Sequence, residues 1–317
     1  MRNRNILNWI LAIAVGVLWA GLQSAPAETL IVTNINCCIE QVDTSTNTIT
    51  TLLSIGGNPD SVIFAPGNNL IYSLPNQSGI GIFNTVTLSN RYIHGNLFQP
   101  LDLALDPSGT SVLVADSGNM YGPAGIKRID LTQAFPIPTI VASGFDDVDG
   151  ITYDNKGNFY AVISGRFVEQ LDPVTGALIK RIECTYCSPY EDDLDGITFD
   201  PVTNSLWVSD KLFNGIWEIP TDLSSSTLYA SGKIGDPDGI ESDGAGNIYV
   251  AARTGQIFVY NIGSNTTTGL TQVPGLDDLA PLTGLGSPNY PVGTPEPGTI
   301  LLVAMGALGI ASRMRKH

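Results

Sequence analysis

One acidic sequence motif occurs three times in the middle of this chain, and its repetition constrains the fold more than any other feature. It reads DDVDGITYDNKGNFYAV from Asp146, DDLDGITFDPVTNSLWV from Asp192 and DPDGIESDGAGNIYV from Asp236. Weaker copies extend the pattern to six anchor positions, spaced 39 to 48 residues apart: Asp60, Leu101, Asp149, Asp195, Asp238 and Asp277. A period of this length indicates an array of one repeated structural unit.

Apolar runs recur in the same order along each repeat. One run is rich in β-branched and aromatic residues, as in Leu70-Ile71-Tyr72 and Ile248-Tyr249-Val250. Another usually ends in Asp or Asn, as in IEQVD from Ile39 and IFVYN from Ile257. Short strands joined by Gly, Asn, Asp and Pro turns at this spacing are typical of β-propeller blades. The sequence therefore predicts an all-β fold.

The repeat is cut at different points at its two ends. The body begins in mid-repeat at TLIVTN from Thr29, whereas GLDDLAPL from Gly275 has no strand-forming run after it. The C-terminal run is therefore predicted to add the innermost strand to the blade that the N-terminus begins. The result is a six-bladed β-propeller over residues 28–282, closed by pairing of its N- and C-terminal strands, which removes two unpaired sheet edges.

Both ends of the chain have the composition of targeting segments. Residues 1–27 begin with two arginines, continue with an apolar run and end on Ala25-Pro26-Ala27, the order of a secretory signal peptide. Residues 283–294 form a Gly/Pro/Thr spacer. Residues 295–317 combine a Pro-Glu-Pro motif, a short apolar stretch and a basic end, formed by Pro295, Glu296, Pro297, Arg313, Arg315 and Lys316.

That C-terminal order resembles the PEP-CTERM sorting signal of Gram-negative bacteria. In that family an exosortase removes the apolar helix near the Pro-Glu-Pro and releases the body to the cell surface or extracellular matrix. The resemblance implies signal peptidase and exosortase as processing partners, with a transient membrane contact through the C-terminal helix. The alternative is an ordinary short C-terminal anchor, which would leave the tail in place.

The body resembles three groups of propellers. Ile31-Val32-Thr33-Asn34 is similar to the YVTN repeat, and the Asp-Gly-Ile lines are similar to NHL repeats and to gluconolactonase/regucalcin propellers. The last resemblance implies a divalent ion at the channel mouth and a carboxylate that helps to activate water. Asp149, Asp195 and Asp238 fall on the matching repeat position. The Glu and Asn ligands of that family have no counterpart at the aligned positions, and Leu101 interrupts the ring of acids.

Acidic residues dominate the predicted body. Residues 28–293 contain 10 basic and 29 acidic residues, a formal charge of −19. This charge argues against nucleic acid as a partner, because phosphate binding needs a basic surface. Since innermost strands line a propeller channel, the acids around the anchors are predicted to share one mouth: Asp146, Asp147, Asp149, Glu191, Asp192, Asp193, Asp195, Asp236, Asp238, Asp277 and Asp278.

Two interpretations of this acidic mouth stay open. Carboxylates in such number suit Ca²⁺ or Mg²⁺. Asp149, Asp195 and Asp238 are therefore candidate metal ligands, and Asp60 and Asp277 are further ligand candidates. Alternatively, an Asp before Gly stabilises its own turn by accepting backbone hydrogen bonds, and each repeat keeps it for that reason.

Four cysteines and four buried-type aromatic residues complete the candidates. Disulfides are expected in an exported protein. Cys184 and Cys187 can close a small loop, whereas Cys37 and Cys38 either bridge each other or pair with the other two. A four-thiolate zinc site requires both pairs to meet. The aromatic residues are predicted to pack inside blades, with a sugar-stacking platform as the alternative: Tyr72, Tyr160, Trp207 and Tyr249.

Taken together, these features predict an exported protein of the cell surface or extracellular matrix. Its propeller is expected to act as a binding or structural module for a polysaccharide or protein ligand, with Ca²⁺ or Mg²⁺ at the acidic mouth. The alternative function is a divalent-metal-dependent hydrolase of the lactonase type.

Overall fold

The computed structural model describes residues 29–184, 186 and 193–281. The predicted signal peptide, spacer and sorting signal, together with Cys187, Glu191 and Asp192, lie outside these residues. The described part of the chain forms 24 β-strands in six four-stranded antiparallel sheets, arranged in a ring as a β-propeller. The predicted fold class is therefore confirmed. None of the described residues belongs to a helix that could span a bilayer.

The six blades follow one another along the chain. Blade 1 combines β24 (Leu276–Pro281) with β1 (Thr29–Asn34), β2 (Cys38–Asp43) and β3 (Thr48–Ser54). Blade 2 contains β4 (Val62–Ala65), β5 (Asn69–Leu74), β6 (Gly79–Asn84) and β7 (Asn90–His94). Blade 3 contains β8 (Pro100–Leu105), β9 (Ser111–Asp116), β10 (Ala124–Asp130) and β11 (Thr139–Phe145).

The second half of the ring repeats the same order. Blade 4 contains β12 (Val148–Tyr153), β13 (Phe159–Ile163), β14 (Phe167–Leu171) and β15 (Leu178–Glu183). Blade 5 contains β16 (Leu194–Asp200), β17 (Ser205–Asp210), β18 (Gly215–Pro220) and β19 (Thr227–Tyr229). Blade 6 contains β20 (Pro237–Ser242), β21 (Asn247–Ala252), β22 (Gln256–Asn261) and β23 (Thr266–Gln272). The innermost strands β4, β8, β12, β16, β20 and β24 contact one another in this order around the channel.

The ring closes in blade 1, where the last strand pairs with the first. β24 runs antiparallel to β1, with Val32 opposite Leu279 and Asn34 opposite Leu276. At the register shift between these pairs, the Thr33 hydroxyl accepts a hydrogen bond from the Asp278 amide at 2.8 Å. The predicted closure by the chain's two ends is thus confirmed, and the blade gains its innermost strand from a segment more than 240 residues away.

The hydrophobic core is divided into six clusters, each shared by two neighbouring blades. The cluster between blades 6 and 1, for example, packs Tyr249 against Leu30, Val32 and Leu279. Apolar side chains from both faces of each sheet are buried in this way, because every blade lies between two others. Both apolar faces of every blade are therefore buried only when all six blades are in place.

In five blades, the Asp or Asn that ends the third strand or directly follows it has a local role. Each of these side chains accepts hydrogen bonds from backbone amides two or three residues further on. This is the Asx turn, which fixes the hairpin to the outermost strand. The residues are Asp43, Asn84, Asp130, Asp172 and Asn261.

We predict that the closing strand supplies a large part of the stability. Leu279 is fully buried in the cluster between blades 6 and 1, so Leu279→Ala should lower the free energy of unfolding by about 2–5 kcal/mol. Denaturant unfolding measures this loss. Leu178→Ala is the control, because Leu178 is 49% exposed on an outermost strand, and its effect should stay within about 0.5 kcal/mol. Equal losses in the two variants would contradict the prediction.

Candidate functional site

The repeated Asp-Gly line forms a β-bulge at the start of the innermost strand. In blade 4, Val148 pairs with Ile163 and Ile151 pairs with Ala161, so Asp149 and Gly150 together face one residue of β13. The same shift occurs in blades 3, 5 and 6. A bulge turns the extra residue away from the ladder. The acids at these positions therefore lie at one end of the channel.

Glycine follows the acid because neighbouring innermost strands approach closely. A Cβ atom added to Gly150 would lie 2.5 Å from the carbonyl oxygen of Asp195, and one added to Gly196 would lie 2.7 Å from that of Asp238. No side chain fits in such a gap, so the glycine is required by packing. Packing thus explains why the glycine of the Asp-Gly pair is repeated.

A cavity of about 280 Å³ occupies the channel where the innermost strands begin. Four of the five predicted ligand residues line it, namely Asp60, Asp149, Asp195 and Asp238. The fifth, Asp277, is buried. The pKa of Asp60 is raised mainly by the burial of Asp60 itself and further by the charge of Asp277. Folding therefore brings the predicted acids together at one mouth.

Two basic side chains reach into this cluster. Lys211 forms an ion pair with Asp195, and its Nζ lies 3.7 Å from an oxygen of Asp238. The Arg253 guanidinium lies 3.0 Å from the Asp238 carboxylate and 3.9 Å from that of Asp195. Burial acts to raise the pKa of Asp195, but a hydrogen bond with Asp238 and the Lys211 ammonium outweigh it and lower that pKa. The pKa of Asp238 is raised well above its ordinary value by burial and by the Asp195 charge.

Asp149 has a different environment from the other two candidate ligands. The amide of Gly165 donates a hydrogen bond to its Oδ2 at 3.1 Å. The repeat position that holds Lys211 and Arg253 in blades 5 and 6, directly after the second strand, is Ser164 in blade 4. Asp149 thus accepts a backbone hydrogen bond of the kind that stabilises a turn. Asp195 and Asp238 instead form ion pairs with Lys211 and Arg253.

A second layer of carboxylates lies one to three residues further along the innermost strands. It consists of Asp102, Glu241 and Asp278, all of which line the cavity. Asp102 accepts hydrogen bonds from the Ser61 hydroxyl at 2.8 Å and from two backbone amides at 2.7 Å. The Thr198 hydroxyl donates to Glu241 at 2.8 Å, and the Val62 amide donates to Asp278 at 3.1 Å.

This deeper layer has strongly shifted acidities. Burial raises the pKa of Asp102 to about 6 and that of Glu241 to about 8. The pKa of Asp278 is raised well above its ordinary value by burial and by the charges of Asp102 and Glu241. Among the described residues, no lysine or arginine forms an ion pair with any of the three. The deeper layer is therefore neutralised by no basic side chain of the described residues, and its carboxyl groups have to take up protons or a cation.

The sequence did not reveal Asp102, Glu241, Lys211 or Arg253 as channel residues. Leu101 does interrupt the row of anchors, but the next residue, Asp102, restores an acid to blade 3 in the deeper layer. Placing the repeats in register would have found all four residues. Asp102 follows an anchor by one position and Glu241 by three, and each basic residue follows the second strand of its blade.

The remaining predicted residues have varied positions. Asp147 lines the cavity, Asp193 is buried, and Asp146 and Asp236 are exposed. The four aromatic residues are fully buried inside the blades, so they form no exposed platform for a sugar: Tyr72, Tyr160, Trp207 and Tyr249. Cys37 and Cys38 form a disulfide with each other. Cys184 is also disulfide-bonded, and its predicted partner Cys187 lies outside the described residues.

We predict that the channel carboxyl groups make stability fall as the pH rises. The pKa of Glu241 in the folded protein, about 8, exceeds its ordinary value of 4.5. The folded protein therefore binds more protons than the unfolded chain between these values. This contribution is fully present below pH 4.5 and is lost as the pH rises through 8.

In a chelating buffer, the Tm should accordingly decrease between pH 5 and pH 9. Each kcal/mol lost corresponds to about 2–4 °C in a domain of this size. Glu241→Gln keeps a group that can accept from Thr198 but removes the titration, so its Tm should decrease less over the same range. Glu218→Gln, outside the channel on β18, is the control and should keep the parent slope. A Glu241→Gln profile that parallels the parent would contradict the assignment.

Comparison with known proteins bears on the tail and on the fold. Residues 294–316 match the PEP-CTERM protein-sorting motif. The motif implies exosortase-dependent export, which is consistent with a location at the cell surface. The sequence matches none of the curated proteins with which it was compared.

The fold also has a counterpart among solved structures. The chain is similar to one in the crystal structure of a nidogen/laminin complex, with a TM-score of 0.64 and 17% identity over 80% of this chain and 97% of that chain. At this identity the similarity concerns the fold alone. It is the β-propeller that the two proteins share.

We predict that the sorting motif is removed from the mature protein. Intact-mass measurement of material taken from the cell surface should show the loss of residues beyond about Pro297, because the motif directs processing by an exosortase. The same chain produced in a bacterium without an exosortase should keep its tail. Surface material that still carries Arg313, Arg315 and Lys316 would contradict this prediction.

Proposed function

We propose that this exported propeller is a binding module of the cell surface or extracellular matrix, and that its acidic channel holds a divalent cation. The observation that carries the proposal is the imbalance of charge around one cavity. Eight acidic residues but only Lys211 and Arg253 as basic residues line this space of about 280 Å³. Carboxylates gathered in this way repel one another unless they take up protons or a cation.

The donor set fits Ca²⁺ or Mg²⁺. Both ions prefer carboxylate, hydroxyl and carbonyl oxygens, and the cavity is lined by such groups. Of the predicted ligands, Asp195 and Asp238 are already paired with basic side chains. No lysine or arginine of the described residues forms an ion pair with Asp60 or with the deeper layer. Asp278 is central to them, because its charge raises the pKa of Asp60 and it interacts with both Asp102 and Glu241.

A bound divalent ion would give the mouth a defined way to recognise a ligand. Hydroxyl and carboxylate groups of a surface polysaccharide, or an acidic group of a protein, can complete the coordination of such an ion. The body carries a formal charge of −19, so an anionic partner needs a bridging cation of this kind. The propeller scaffold is consistent with this role, because its rigid blades hold the mouth residues in place.

The test is metal-dependent stability with an isosteric variant. An ion that binds only the folded state stabilises it by about 2.7 kcal/mol at a hundredfold excess over its Kd. The Tm of the mature body at pH 7 should therefore rise with Ca²⁺ or Mg²⁺ and return to its initial value with chelator. Asp278→Asn should reduce this rise, whereas Asp146→Asn should not, since Asp146 is an exposed acid outside the cavity. A Tm that neither metal nor chelator changes would refute the cation site.

A metal-dependent hydrolase of the lactonase type is the second candidate function. It is favoured by one observation, the presence of a carboxyl group with a pKa of about 8, Glu241, in a cavity large enough for a small substrate. A group of this acidity can hold and release a proton at neutral pH. Metal-dependent opening of small lactones by the parent, abolished in Glu241→Gln but not in Glu218→Gln, would make this the function. If the parent does not hydrolyse lactones, the hydrolase is ruled out and the binding module remains the proposed function.

A further inference from the structure

The turn between β1 and β2 carries a cluster of three chemically reactive side chains outside the channel. Cys37 and Cys38, adjacent in sequence, form a disulfide there. Glu40 is two residues further along β2, so its side chain lies on the same face of the strand as that of Cys38. Cys38 is 2% exposed, Glu40 is 8% exposed and Cys37 is half-buried. The cluster is thus largely shielded but open on the Cys37 side.

The environment of the buried Glu40 carboxylate, as far as the structure describes it, contains amide and sulfur groups. Asn34 Nδ2 donates to one of its oxygens at 3.3 Å, and the sulfur of Cys38 lies 3.6 Å from the other. No lysine or arginine of the described residues forms an ion pair with it. A carboxylate removed from water in this way is costly unless a positive charge is nearby.

The three ligand atoms converge. The two sulfurs and one Glu40 oxygen all lie within 4.8 Å of one another. Around a tetrahedral zinc ion with Zn–S distances near 2.3 Å, sulfur ligands are separated by roughly 3.8 Å. Opening the disulfide therefore requires only a local separation of the sulfurs. Two thiolates with one carboxylate form a soft-to-borderline donor set, which selects Zn²⁺ over Ca²⁺ or Mg²⁺.

We propose that the Cys37–Cys38 pair is a redox-gated metal site, in which reduction of the disulfide creates a centre for Zn²⁺ held by both sulfurs and Glu40. The reductant is a dithiol. One of its thiolates attacks the bridge and its second thiol resolves the mixed disulfide, so the dithiol is oxidised by two electrons to its own disulfide. Cys37 and Cys38 receive those electrons and the two protons. Zinc then binds with release of the thiol protons.

This site is independent of the channel and of the cation proposed there. Its ligands belong to the hairpin of blade 1, and none of them lines the channel cavity. In the oxidised chain the sulfurs are bonded to each other, and a thiolate is the form of cysteine that ligates metal. The oxidised protein therefore provides a control with an unchanged sequence.

The experiment uses the mature body carrying Cys184→Ser and Cys187→Ser, which leaves Cys37 and Cys38 as the only cysteines of the chain. The protein is reduced with a dithiol, freed of reductant and titrated with Zn²⁺, and with Co²⁺ as a spectroscopic probe. The reduced form should bind one additional Zn²⁺ relative to the oxidised form. Its cobalt complex should show sulfur-to-metal charge-transfer absorption that the oxidised form lacks.

The role of Glu40 is tested in the same background. Glu40→Gln should weaken zinc binding by the reduced protein about tenfold or more, since even outer partners of metal ligands contribute this much. Glu218→Gln removes the same charge on β18 and should leave the affinity unchanged. Circular dichroism verifies that each variant keeps its β-structure. Equal zinc binding by the oxidised and reduced forms, no charge-transfer band, or unchanged affinity in Glu40→Gln would each overturn the proposal.

Discussion

The close approach of neighbouring innermost strands governs much of this structure. Where Gly150 and Gly196 face the next blade, the backbones leave no room for a side chain. The glycines permit the bulge, and the bulge in turn directs the preceding aspartate toward the channel mouth. Where blade 6 meets the closing strand β24, the residue that faces the glycine is an aspartate. Asp278 lies against Gly239, where an added Cβ would be 2.7 Å from the Asp278 Cα. One packing constraint thus creates both the ring and its acidic interior.

The acidic interior is unfavourable for the protein in isolation. Folding removes these carboxyl groups from water and places them near one another, which raises the pKa of most of them. Lys211 and Arg253 compensate the outer layer only. Packing alone does not require Glu241, because the other five blades place uncharged residues at the matching position. The presence of the deeper layer supports the ligand site that we propose.

Sequence reasoning predicted the fold and the outer layer because both depend on a repeated pattern. Asp195 and Asp238 occupy the same position in consecutive repeats, so periodicity placed them on one face. Glu241 occurs in one blade only, and Asp102 and the two basic residues each stand at a repeat position that has the same type of charge in only two of the six blades, so a search for repetition did not find them. The environments of Asp149 and Asp195 differ because a different residue follows the second strand in each of the two blades. That relation between distant residues becomes visible only after folding.

The direction of the closing strand also orients the whole molecule. β24 begins at the acidic mouth and ends at Pro281, and Leu30 of β1 pairs with that residue. Five residue steps of extended strand correspond to roughly 17 Å. Both described ends of the propeller, Thr29 and Pro281, therefore lie on the face opposite the mouth. A tether joined to the body at Pro281 would therefore attach on the face away from the acidic residues, and it would not cover the mouth at its point of attachment.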